Sequence, residues 1–145
     1  MKITDHFAWE EMAFSQTAIR LGMDNIPDEL KKQNIKWLCV KILEPIRVKQ
    51  GPVIVTSGYR CPELNKAIGG SATSQHCQGQ AADIVVPGMK IEELFLWITE
   101  KTNLPYDQCI QEFGSWVHIS YTRERQRKQA LRAIRNKGKV EYLTV

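Results

Sequence analysis

Hydrophobic and polar positions alternate with a period near 3.6 in the first third of the chain and nearer 2 in much of the rest. Residues 5–22, DHFAWEEMAFSQTAIRLG, predict one or two short helical segments closed by Gly22. Pro27 opens the next helix where its missing N–H costs nothing, and Asp28 and Glu29 suit the N-terminal dipole. Leu30, Trp37, Leu38 and Ile42 keep helical spacing. Pro45 interrupts that spacing and predicts a kink or an end near Leu43 and Glu44.

Beyond residue 51 the runs shorten. PVIVTS (52–57) reads as a buried strand, CPELNKAIGG as a short helix stopped by Gly69 and Gly70, and AADIVV (81–86) as a second strand. KIEELFLWITEK (90–101) has the pattern of an amphipathic helix. YDQCIQE and WVHISY predict paired strands around FGS. Thr122 is placed to cap a last, basic helix over 122–136, with Gly138 past its end and VEYLTV as a final strand. Helices first and a small sheet afterwards give an α+β fold with a mostly antiparallel sheet packed with helices.

At 145 residues the chain has the size of one domain with a core of its own. The net charge of +4 is concentrated in TRERQRKQALRAIRNKGK (122–139), which is a solvated helix face rather than a general nucleic-acid footprint. The four cysteines, Cys39, Cys61, Cys77 and Cys109, are far apart and form no C-x-x-C pair, so they read as reduced thiols. No apolar run reaches the length of a membrane span, and the first residues carry acids where an export signal would be apolar. These features predict a monomer without nucleic-acid or membrane partners and without an export signal.

Chemistry concentrates in SQHCQGQAAD. The chain has three histidines, and this loop places one of them, His76, seven positions before Asp83 at the head of an apolar strand. A carboxylate buried there needs a partner or a metal. His118, in EFGSWVHIS, supplies a second imidazole, and two imidazoles with one carboxylate suit zinc with an open fourth position. Cys77 competes poorly as a ligand because adjacent side chains diverge. Gly79 lets the loop turn, and Ala81 and Ala82 let the chain pass close to a neighbour. Asp83 and Val85 are expected on one side of the strand, with Ala82, Ile84 and Val86 on the other.

Hydrolysis also needs a general base, and Glu112 is the candidate. If Phe113, Gly114 and Ser115 form a three-residue loop, Glu112 faces Trp116 and Ile110 faces His118. Glu112, Trp116 and His118 then share a face. A two-residue loop would put Glu112 and His118 on opposite faces.

The string SGYR-P-LN--IGGS-TSQH--GQAADI, followed by E-----H within EFGSWVHIS, closely resembles the M15 family of zinc peptidases, whose fold is the hedgehog/D-alanyl-D-alanine-peptidase type. HFAWEEMAFSQTAIRLG-DNIP and LEPIR also resemble the N-terminal helices of its short bacterial and phage members. The resemblance implies zinc on His76, Asp83 and His118, with Glu112 as base, Arg60 on a substrate carboxylate and Ser74 hydrogen-bonded to substrate near the metal. Trp116 would be a pocket wall. Ser115 departs from branches that carry an acid three positions before the last histidine; this chain has the E-x5-H spacing instead.

The resemblance further implies peptidoglycan peptides as substrate, cut at D-alanyl-D-alanine ends or at an internal bond such as L-alanyl-D-glutamate. A phage or prophage endolysin reaching the wall through a holin or lysis is the matching role. The alternative is a non-catalytic, zinc-stabilised binding module of hedgehog-like fold, which would have no need of Glu112. Tyr59 and Gln108 read as structural, and His6 as solvent-facing.

Overall fold

The computed structural model describes residues 1–145 and is a mixed α/β fold built on one six-stranded sheet. Two short helices come first, α1 (Trp9–Ala13) and α2 (Gln16–Arg20), the second capped by the Ser15 hydroxyl. Helix α3 (Glu29–Leu38) starts two positions later than Pro27 would place it, because the Asp28 carboxylate accepts from the Lys31 N–H as N-cap. The helical path does not stop at Pro45. It widens into a π-helical turn over Cys39–Leu43 and continues as α4 (Glu44–Gln50), with the proline in the first turn of α4. The wider turn accommodates a ring that cannot donate and would crowd the preceding carbonyls. Leu30 proves exposed; the buried stripe runs through Ile35, Leu38, Cys39, Ile42, Leu43 and Ile46.

Strand β1 (Ile54–Ser57) is followed by α5 (Pro62–Ala67), β2 (Ala81–Val85), α6 (Ile91–Lys101), β3 (Gln108–Glu112) and β4 (Trp116–Ser120). The sheet order is β1-β2-β4-β3, continued by β5 (Gln129–Asn136) and β6 (Lys139–Thr144). All pairs are antiparallel except β3–β5. PVIVTS is therefore an edge strand, not a buried one: Ile54 is 49% exposed.

The basic segment 122–136 is not a helix. The Thr122 hydroxyl accepts from the Glu124 and Arg125 N–H groups, a helix-like start. The chain then leaves that path at Lys128, where φ is +51°, and enters β5. Helix-favouring residues such as Arg, Gln and Ala yield here to a long-range demand: β3 has an open edge, and β5 fills it in parallel. Lys137 and Gly138, both at positive φ, make the two-residue turn into β6, so Gly138 closes a hairpin rather than a helix.

One face of the sheet is covered by helices. Ala82, Ile84, Val117, Ile119 and Cys109 pack there against α3, α4 and α6. Asp83, His118, Ile110, Glu112 and Leu131 alternate onto the opposite face, which forms the floor of a cleft. All four cysteines are free thiols, and burial pushes Cys39 up to about 12. No helix is long and apolar enough to cross a membrane.

Candidate metal centre

Three elements bring the predicted donors together. β2 and β4 pair with Asp83 directly opposite His118. His76 arrives on a 3-10 turn, Gln75–Gln78, whose N-cap is Ser74 and whose end is Gly79 at φ +73°. Gly79 is required twice over: an added Cβ would lie 2.6 Å from the Lys31 carbonyl oxygen and 2.9 Å from Ile35 Cγ1. Gly58 is equally constrained, since a Cβ there would overlap the Met12 carbonyl.

The hydrogen bonding fixes the state of His76. Its Nδ1 lies 2.7 Å from the Gly58 carbonyl oxygen, which only accepts. Nδ1 therefore carries the proton, and Nε2 presents a lone pair. That lone pair lies 3.2 Å from Asp83 Oδ1, another acceptor. Burial, opposed by the Asp83 charge, holds the imidazole below its ordinary pKa, so a second proton is not the remedy. Two acceptors so placed call for a cation between them.

His118 Nδ1 stands 3.0 Å from the same Oδ1, and the two imidazole rings meet edge to face with centroids 5.1 Å apart. One donor atom from each residue lies within 4.8 Å of the other two. Atoms bound tetrahedrally at zinc–nitrogen or zinc–oxygen distances stand roughly 3.3 Å apart, close to the spacings found here. A cluster of two imidazoles and a carboxylate thus fits a zinc ion. Cys77, though adjacent to His76, is not among the clustered donors. Burial alone would raise the Asp83 carboxyl, but its hydrogen bond with His118 and the adjacent His76 imidazole outweigh that and hold it well below the usual range.

The three-residue loop forms as its parity required: Glu112 pairs with Trp116 and Ile110 with His118, with Phe113 and Gly114 at positive φ. Glu112 is thereby on the floor beside the cluster. Burial raises its pKa, the His118 and Arg60 charges lower it and Asp83 raises it further; the net shift is upward. Trp116 is half-buried, edge-on to Phe113, and lines the cleft; its Nε1 has no partner.

Arg60 and Ser74 line the cleft too, but each also serves the protein. Ser74 Oγ accepts from the His76 N–H. Arg60 donates from Nε to Ser57, from Nη1 to Asn65 and from Nη2 to Asp83. His6 lies away from the cleft and, while partly exposed, is held by Glu44 at 2.7 Å.

The sequence reading missed a second polar centre on the same cleft. Asp107 is fully buried and accepts from Arg127 Nε and Nη2, both at 2.8 Å, from the Arg127 backbone N–H and from Gln75 Nε2. The signal was hidden because 122–136 read as a helix, which would carry its arginines on a solvated face. Gln75 precedes His76, so this ion pair buttresses the turn that presents a metal donor. Burial would raise Asp107, but the Arg127 hydrogen bonds prevail and lower it from 3.8 to about 2. Asp107→Asn is expected to cost about 1.5–3 kcal/mol of stability at neutral pH, measured by denaturant unfolding. Because the folded-state pKa is the depressed one, this stabilisation is complete above 3.8 and fades as pH falls through about 2, where parent and variant converge.

In comparison with family models, the model described as Peptidase M15 matches residues 5–120. No curated protein matches the chain. Strands β5 and β6, which lie beyond the matched residues, supply Gln129, Leu131 and Tyr142 to the cleft.

Proposed function

The chain belongs to the M15 peptidase family, and from that premise we propose that it is a zinc-dependent peptidase of peptidoglycan stem peptides, acting as one domain over 1–145. The bond would be a terminal D-alanyl-D-alanine or an internal one of the L-alanyl-D-glutamate type. A lytic enzyme of phage or prophage origin, held inside the cell until lysis, is the role this substrate suggests. The observation that carries the reading is the position of Glu112, on the same sheet face as Asp83 and His118 and lining the same cleft as all three donors. A zinc-stabilised binding module would have no use for a carboxylate half-buried there.

In this mechanism His76, Asp83 and His118 hold the metal, and Arg60 steadies Asp83 from behind. Bound zinc would acidify water and polarise a peptide carbonyl. Glu112 takes the proton from the attacking water and returns it to the leaving amine. Its carboxylate is suited to both steps: burial raises its basicity, and no hydrogen bond contributes to its pKa shift. The walls that meet the substrate include Ser74 and Trp116, in a cleft of about 730 Å³ that Arg60 also lines. Purified muropeptides incubated with zinc-loaded protein should acquire new termini, identified by mass. Intact muropeptides beside a protein that retains zinc would favour the binding module.

A further inference from the structure

We propose that Arg125, on the approach to β5, binds a carboxylate of the substrate, and that Arg60 is a positioning residue for Asp83. The inference rests on the peptidase reading above and names what the basic end of the cleft recognises. Each nitrogen of the Arg60 guanidinium already donates to a protein acceptor, and its side chain is only 15% exposed. Its charge is therefore matched by Asp83, and its orientation is fixed by Ser57 and Asn65.

Arg125 is the opposite case. Its side chain is 56% exposed, it lines the same cleft, and its one carboxylate partner is Asp107, reached by Nη2 alone at 3.4 Å. Asp107 does not need it, because Arg127 already engages both carboxylate oxygens at 2.8 Å. One buried negative charge against two arginines leaves a surplus positive charge on the cleft wall, with Nε and Nη1 uncommitted. Asp107 takes one of the two Nη2 hydrogens, so one full edge of the guanidinium, Nε with Nη2 or Nη1 with Nη2, stays free to match a carboxylate in two parallel hydrogen bonds. The Gln75–Asp107 bond ties this wall to the turn bearing His76, so the distance from carboxylate site to metal centre is fixed. The ligand is thus a peptide carboxylate, from an acidic residue or from the chain end.

The test uses zinc-saturated Glu112→Gln protein, so that binding is read without turnover. By calorimetry it is titrated with L-Ala-γ-D-Glu-L-Lys-D-Ala-D-Ala and with two derivatives, one amidated at the D-Glu α-carboxylate and one at the C-terminus. Amidation of one of the two should weaken binding, which identifies the carboxylate that is recognised. Adding Arg125→Gln should raise Kd for the acid peptide roughly tenfold, the low end for a charge-assisted hydrogen bond, and erase the difference from that amide. Adding Arg60→Gln should instead weaken zinc retention and, at saturating zinc, preserve the acid-to-amide ratio. An unchanged ratio in Arg125→Gln, or one erased in Arg60→Gln, overturns the assignment and leaves the peptidase reading standing. If none of the three peptides binds the zinc-saturated protein, the substrate reading falls and this inference with it.

Discussion

Glu112→Gln should lower peptide turnover by about 10²–10⁴-fold while the protein keeps its zinc. The substitution preserves shape, strand pairing with Trp116 and the packing of the hairpin, and removes only the capacity to take a proton. Glu112 is not one of the three clustered donors, so the metal should not notice the change. Burial and the Asp83 charge raise the affinity of Glu112 for a proton, while His118 and Arg60 limit the rise. Steady-state hydrolysis together with metal analysis on the same sample separates the two effects. Turnover within a fewfold of the parent would place the base elsewhere; loss of zinc would make Glu112 a ligand.

The second large effect concerns the donors themselves. Asp83→Asn should weaken zinc binding by more than the 10–100-fold that loss of an outer-shell partner costs, and Arg60→Gln should fall within that range. Zinc binds the folded chain, so at a free concentration a hundredfold above Kd it adds about 2.7 kcal/mol to the parent's stability. Asp83→Asn should forfeit this increment. In metal-free protein the two chains should differ far less, since an asparagine amide can donate to the lone pair of His76 where the carboxylate cannot. Thermal unfolding with and without zinc reads both halves. A large loss already present without metal would mean that Asp83 is structural.

Both expectations depend on features that local sequence encodes. Strand alternation placed Asp83 opposite Ala82 and Ile84, and the face it occupies is the cleft. The parity of Phe113, Gly114 and Ser115 set Glu112 and His118 on one face, because a residue count across a tight turn determines pairing. Long-range placement was less legible. Arg125 and Arg127 carry strong helix propensity, and only the open edge of β3, distant in sequence, draws the segment after them into a strand. Asp107, inside the predicted strand YDQCIQE, draws no notice for the same reason: its arginine partners lie 18 and 20 residues away. Pro45 predicts a kink or an end because its missing N–H is a local fact. The π-helical turn that absorbs it is held by packing of Cys39, Ile42 and Leu43 in the core. The exposure of Ile54 likewise follows from the place of β1 at the sheet edge, which composition does not encode.

The central claim is that His76, Asp83 and His118 surround one cation. Zinc-edge X-ray absorption on protein loaded with one equivalent tests it most directly. The account predicts nitrogen and oxygen scatterers only, at about 2.0–2.2 Å, with an imidazole signature that diminishes in His118→Ala. Sulfur at about 2.3 Å, or zinc that washes away from the parent chain, would contradict it.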